Sequence, residues 1–173
     1  MNFNLEHAID LLRRTPEVLR LTLSGLSSEW QDCNDGDGTW SPYDVLGHLI
    51  HAELTDWIPR ARMIIEEGPL RTFEPFDRYA QFEESTGKSL AELLTTFEKL
   101  RRESLESLKG MKLSPGDLER EGSHPEFGRV TMSQLLATWV VHDQGHLVQI
   151  HRTMARQYRE AIGPWKAYLS VIN

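Results

Sequence analysis

His142 and His146 lie four positions apart in Trp139-Val140-Val141-His142-Asp143-Gln144-Gly145-His146. At about 100° per residue, four helical steps return a side chain to within about 40° of its starting direction. Two imidazoles so placed can reach one cation from adjacent turns, a common way to build a helical metal site. Two histidines rarely complete such a site. The candidate third is His48, in the helical-looking stretch 42–67. His51 lies only about 60° from His48 on the same wheel, so spacing does not separate the two. The segment is not a zincin peptidase motif, because Asp143 stands where that motif carries glutamate as general base. Its shorter side chain would reach a metal-bound water poorly.

The elements that must position these residues are helical. Apolar periodicity marks a first helix over 5–26, with a kink or restart expected at Thr15-Pro16. A second opens at Ser41-Pro42-Tyr43-Asp44, with a capping serine, proline at the first helical position and an acid in the first turn. It is expected to run to 67 and to stop at Gly68-Pro69. A third begins with the capping box Ser89-Leu90-Ala91-Glu92 and ends at Gly110. A fourth begins with Thr131-Met132-Ser133-Gln134 and runs to 156, and a short C-terminal helix is expected over 164–171. The turn-rich stretches 33–38 and 114–128 show no convincing alternating strand. With no repeat or linker to split it, the chain reads as one all-α domain, 1–173, a four-helix bundle with a short C-terminal helix.

Helical wheels place polar lines on two otherwise apolar helices. On the fourth, Leu136, Val140, Leu147 and Met154 gather on one side, broadened by Ala137, Val141 and Val148. Thr138, His142, His146, Gln149 and Thr153 follow a separate line. On the second, Asp44, His48, His51, Thr55 and Arg62 run opposite Leu46, Ile50, Leu54, Trp57, Ala61 and Ile64. Exposed helix faces favour Lys and Glu, whereas these lines are rich in His, Thr and Gln, as the wall of a site would be. Gln149 either lines that pocket or is a plain surface residue. Asp44 is the nearest acid–base candidate and serves equally well as a helix N-terminal acid. His151 points away from His142 and is assigned to packing or an interface. His7 and His124 read as surface histidines.

Composition narrows the function classes. Among 173 residues there is one cysteine, which excludes an intrachain disulfide and a thiolate zinc cluster. Cys33, in a loop-like stretch, reads as a bystander. The net charge of −7 argues against nucleic-acid binding. Arg13-Arg14 and Arg101-Arg102 are the longest basic clusters and read as solvated positions. No basic-then-apolar leader is seen at the N-terminus and no apolar run approaches the ~20 residues of a membrane span. A cytoplasmic protein without a membrane partner is expected. The wide apolar faces, with His151, Val148 and Ala155 away from the polar stripe, suggest a homodimer.

Trp40-Ser41-Pro42, Val45-Leu46-Gly47-His48-Leu49, His124-Pro125-Glu126-Phe127-Gly128, the 142–150 segment and Gly163-Pro164-Trp165-Lys166-Ala167-Tyr168-Leu169 together resemble the DinB superfamily, in the expected order along nearly the whole chain. The resemblance implies a DinB-like four-helix bundle holding one divalent metal, zinc or nickel, on three histidines, which fall on His48, His142 and His146. It also places the third ligand on His48 rather than His51. Members of the superfamily include S-transferases for low-molecular-weight thiols, a mycothiol-dependent isomerase and domains joined to sulfoxide synthases, so the fold alone does not choose a chemistry. The leading expectation is a metal-dependent transferase that presents a small-molecule thiol to an electrophile. A metal-dependent hydrolase and a non-catalytic, stress-associated metal-binding bundle are the alternatives.

Overall fold

Capping chemistry sets where the helices begin. In the computed structural model, which describes residues 2–172, Ser41, Ser89 and Thr131 each cap a helix through a reciprocal box. In order the chain forms α1 (Leu5–Leu23), α2 (Ser28–Gln31), α3 (Pro42–Thr55), α4 (Trp57–Glu66), α5 (Ala80–Glu84), α6 (Leu90–Gly110) and α7 (Pro115–Leu118). A hairpin, β1 (Glu121–His124) and β2 (Gly128–Thr131), leads into α8 (Met132–Arg156). Helix α1, the α3–α4 pair, α6 and α8 are the four legs of a helix bundle. No helix among the described residues is long and apolar enough to cross a membrane.

Three expectations need correction. The single helix expected over 42–67 is two, broken at Asp56. Pro59 has no N–H to give the Thr55 carbonyl, so the helical ladder cannot run through this point. The helix does not restart at Thr15-Pro16, and α1 continues through Pro16. Proline deprives the Leu12 carbonyl of its helical donor, and Arg101 Nη1 donates to it instead at 2.9 Å. The stretch without a recognised strand holds the hairpin, paired antiparallel from Glu121↔Thr131 to His124↔Gly128. Its four-residue strands are too short to show alternation. The short C-terminal helix expected over 164–171 is present in 3₁₀ form, Gly163–Tyr168 and Ser170–Ile172.

Two apolar clusters fill the bundle. One is built on Leu19, Leu23, Leu46, Leu93, Phe97 and Ile150, the other on Leu12, Trp57, Phe73, Leu108 and Trp139. Near the passage from one cluster to the other each leg carries a buried polar residue: Thr15, Glu53, Arg101 and Asp143. The reading of Arg101 as solvated is therefore wrong, since it is 1% exposed. Leu54, expected on a packed face, is exposed, as are Val141 and Val148 of α8.

Candidate metal centre

The box at Ser41 fixes the start of α3: the Ser41 hydroxyl accepts from the Asp44 amide at 3.1 Å, and Asp44 Oδ2 accepts from the Ser41 amide at 2.9 Å. Asp44 is thus the helix acid rather than an acid–base group. Two turns on, Gly47 lets α5 approach closely, since a Cβ there would lie 2.4 Å from Ser85 Oγ. The next residue, His48, turns into the bundle and is 6% exposed.

His48 of α3 meets His142 and His146 of α8. The Nε2 atoms of His48 and His142 are 3.1 Å apart, as are those of His142 and His146. The potential ligand atoms of all three lie within 4.8 Å of one another. Imidazole nitrogens bound to one cation at about 2.0–2.1 Å stand roughly 2.9–3.4 Å apart, so the spacing fits a shared divalent ion. His51 is not in this cluster. Its Nδ1 pairs with Glu84 of α5 at 3.0 Å, and geometry thereby separates the two histidines that spacing left equivalent.

Protonation also favours ligation. Burial, reinforced by the neighbouring imidazole of His146, pushes His48 down to about 3 and His142 down to about 2. Burial lowers His146 as well, partly opposed by Gln149. All three rings are neutral at pH 7 and carry lone pairs. Gln149 Oε1 lies 2.8 Å from His146 Nδ1. An amide oxygen only accepts, so Nδ1 carries the proton and Nε2 is left free for a cation. The role open for Gln149 is therefore ligand orientation.

The triad forms one wall of a cleft of about 670 Å³. Trp40 packs on His48 at 4.8 Å between ring centres, Phe76 meets it edge-on at 5.2 Å, and Trp57 meets His142 edge-on at 5.1 Å. Thr138 lines the cleft, as the polar stripe requires, but Thr55 and Arg62 do not: Thr55 bonds back to the His51 carbonyl and Arg62 donates to Ser107.

Several lining groups carry no mark in the sequence pattern, among them His124, Asp56 and Arg78. His124, expected on the surface, reaches the cleft from the hairpin. Its Nδ1 accepts from the Glu126 and Phe127 amides at 3.1 and 3.3 Å, so in the neutral ring Nε2 carries the proton. Its position depends on a fold that local pattern did not reveal. Asp56, at the break between α3 and α4, pairs with Arg60 at 2.8 Å. Burial outweighs that attraction and pushes its carboxyl up to about 6. Arg78 also lines the cleft and bears electrostatically on His48. Its loop lies outside every periodic segment, and no sequence signal marks it. Elsewhere, His7 and His151 are exposed, and Cys33 is half-buried with its thiol donating to the Trp30 carbonyl and its pKa raised by burial.

Known proteins share this fold. YfiT from Bacillus subtilis, described as "a probable metal-dependent hydrolase with an unusual four-helix bundle topology", superposes with a TM-score of 0.76 at 22% identity, over 88% of this chain and 86% of YfiT. TT2238, a four-helix bundle protein, gives 0.57 at 20% identity over 86% and 98%. A protein of Oceanobacillus iheyensis named "putative metal-dependent hydrolase" is 27% identical over 150 residues, 86% of this chain and 85% of its own length. The sequence profile of the DinB superfamily matches residues 11–150, and the chain belongs to that superfamily.

Proposed function

We propose that this protein is a metal-dependent transferase that presents a low-molecular-weight thiol to an electrophile held in the cleft. The observation that carries the reading is the convergence of three neutral Nε2 donors on the wall of an open, aromatic-lined cavity rather than in closed core. A divalent ion there, zinc or nickel, would supply positive charge that favours thiolate over thiol at neutral pH. The chain's own groups do the rest. Low histidine pKa values keep protons from competing for the ligand atoms. Gln149 holds the His146 ring in its ligating tautomer. Trp40, Trp57 and Phe76 exclude water and offer faces for an organic electrophile. Arg78 supports the reading by placing positive charge where an anionic thiol would enter.

Hydrolysis is the second reading. Two relatives carry hydrolase names. Within the cleft, Asp56, raised to about 6, is a carboxyl suited to exchanging protons near neutrality. One experiment separates the readings. Metal-loaded protein is assayed for loss of a chloronitrobenzene with and without a small thiol, and for ester and amide cleavage without thiol. Thiol-dependent loss that tracks metal occupancy supports transfer. Ester or amide cleavage alone replaces it with hydrolysis. Absence of both in loaded protein leaves a metal-binding bundle.

A further inference from the structure

A heavily bonded buried side chain, Arg101, is outside the cleft. All five N–H groups of Arg101 are used. Nε and Nη2 donate to Glu53 Oε1 at 3.0 and 2.8 Å, Nη2 and Nη1 donate to Asp143 at 3.0 and 2.5 Å, and Nη1 donates to the Leu12 carbonyl at 2.9 Å. Thr15 Oγ1 donates to Asp143 Oδ2 at 2.6 Å, and Trp139 Nε1 donates to Glu53 Oε1 at 3.1 Å. Glu53, Arg101 and Asp143 are each at most 4% exposed.

The partners of this guanidinium are not scattered. Glu53 is on α3, five residues after His48, and Asp143 follows His142 directly on α8. These are the two helices that bear the histidine triad. Each packs most extensively on a different neighbour, α3 on α6 and α8 on α1. The two ligand helices also touch each other directly, but less extensively than each meets its main neighbour. Buried ion clusters are also poor stabilisers, since well-packed apolar replacements are often neutral or better. What a planar fork with fixed donors supplies is register.

We propose that Arg101 is a positioning residue for the histidine triad: it clamps Glu53 and Asp143 so that His48 stays in register with His142 and His146. This inference rests on the triad being a metal site. Trp139 extends the brace, stacking on Trp57, whose edge meets His142.

The test is metal affinity, measured by titration with zinc or nickel alone, together with the visible spectrum of cobalt-loaded protein. Arg101→Lys keeps the charge but cannot span both carboxylates with paired bonds. The triple variant Glu53→Gln/Arg101→Met/Asp143→Asn removes all three charges at once, so no ion is left buried alone. Both should keep the helical circular dichroism signal, bind metal about 10- to 100-fold more weakly, as when groups supporting metal ligands are lost, and show an altered cobalt spectrum. Wild-type affinity and spectrum in either variant would overturn the proposal. Unfolding of the triple variant would overturn it too, by making the network a stability element. A wild-type protein that binds no metal would instead refute the metal site itself.

Discussion

Gly122→Ala should loosen the hairpin without touching the triad. Gly122 is buried on β1 opposite Val130, against α4 and the 72–76 segment. A Cβ there would lie 2.6 Å from Phe73 Cζ and 2.8 Å from Ile64 Cγ1. Carbon atoms pack at about 3.5–4.0 Å, so the overlap approaches 1 Å on two sides. Neither neighbour can yield freely, because Phe73 is 2% exposed, Ile64 is 0% exposed, and the Arg60 guanidinium lies over the Phe73 ring at 5.3 Å. Overpacking of this kind costs about 1–3 kcal/mol. At about 2.1 cal/mol/K per residue, 173 residues give an unfolding entropy near 0.36 kcal/mol/K, so Tm should fall by roughly 3–8 °C. Calorimetry reads the melting temperature, and titration with nickel reads the site. Metal affinity should hold, because the three histidines are on α3 and α8. Adding Phe73→Leu should recover part of the loss by vacating the overlapped ring atoms. A Gly122→Ala protein melting within 1 °C of wild type would refute the packing argument.

Asp56→Asn tests the raised carboxyl. With a folded pKa of about 6 against 3.8, the protonated form is favoured in the folded state; that stabilisation is full below about pH 4 and lost as pH rises through 6. Asparagine stays neutral, so the variant should gain on wild type by up to about 3 kcal/mol between pH 4 and 7, and parallel pH–stability curves would contradict it. Gln149→Ala should weaken metal binding about 10-fold by freeing the His146 ring, while His151→Ala should leave it intact; titration giving equal losses would contradict the assignment. Self-association through the exposed Val141 and Val148 face should give a light-scattering mass near 40 kDa, twice 19.9 kDa, and a monomer mass at micromolar concentration would exclude it.

Local signals were read well. The boxes at Ser89 and Thr131, the cap at Ser41 and the i, i+4 histidine pair all depend on residues within a turn of each other. The choice between His48 and His51 is not local, since it turns on Glu84 of α5 drawing His51 aside. Hidden charges were the main omission, although a signal for them existed. Arg101 falls between Phe97 and Leu105 on the apolar stripe of α6, Glu53 between Ile50 and Trp57, and Asp143 between Trp139 and Ile150. One basic and two acidic residues on the buried faces of three helices require each other as partners. Pro59 likewise announced the break between α3 and α4. The hairpin, and with it His124, was hidden by strands too short for alternation to show.

Metal analysis of purified protein tests the three-histidine centre most directly. Wild type should hold about one divalent ion per chain. His142→Ala/His146→Ala should hold almost none while keeping its helical circular dichroism signal, because neither apolar cluster is built on the three histidines. Equal metal content in the two proteins would contradict the assignment of His48, His142 and His146 as the metal centre.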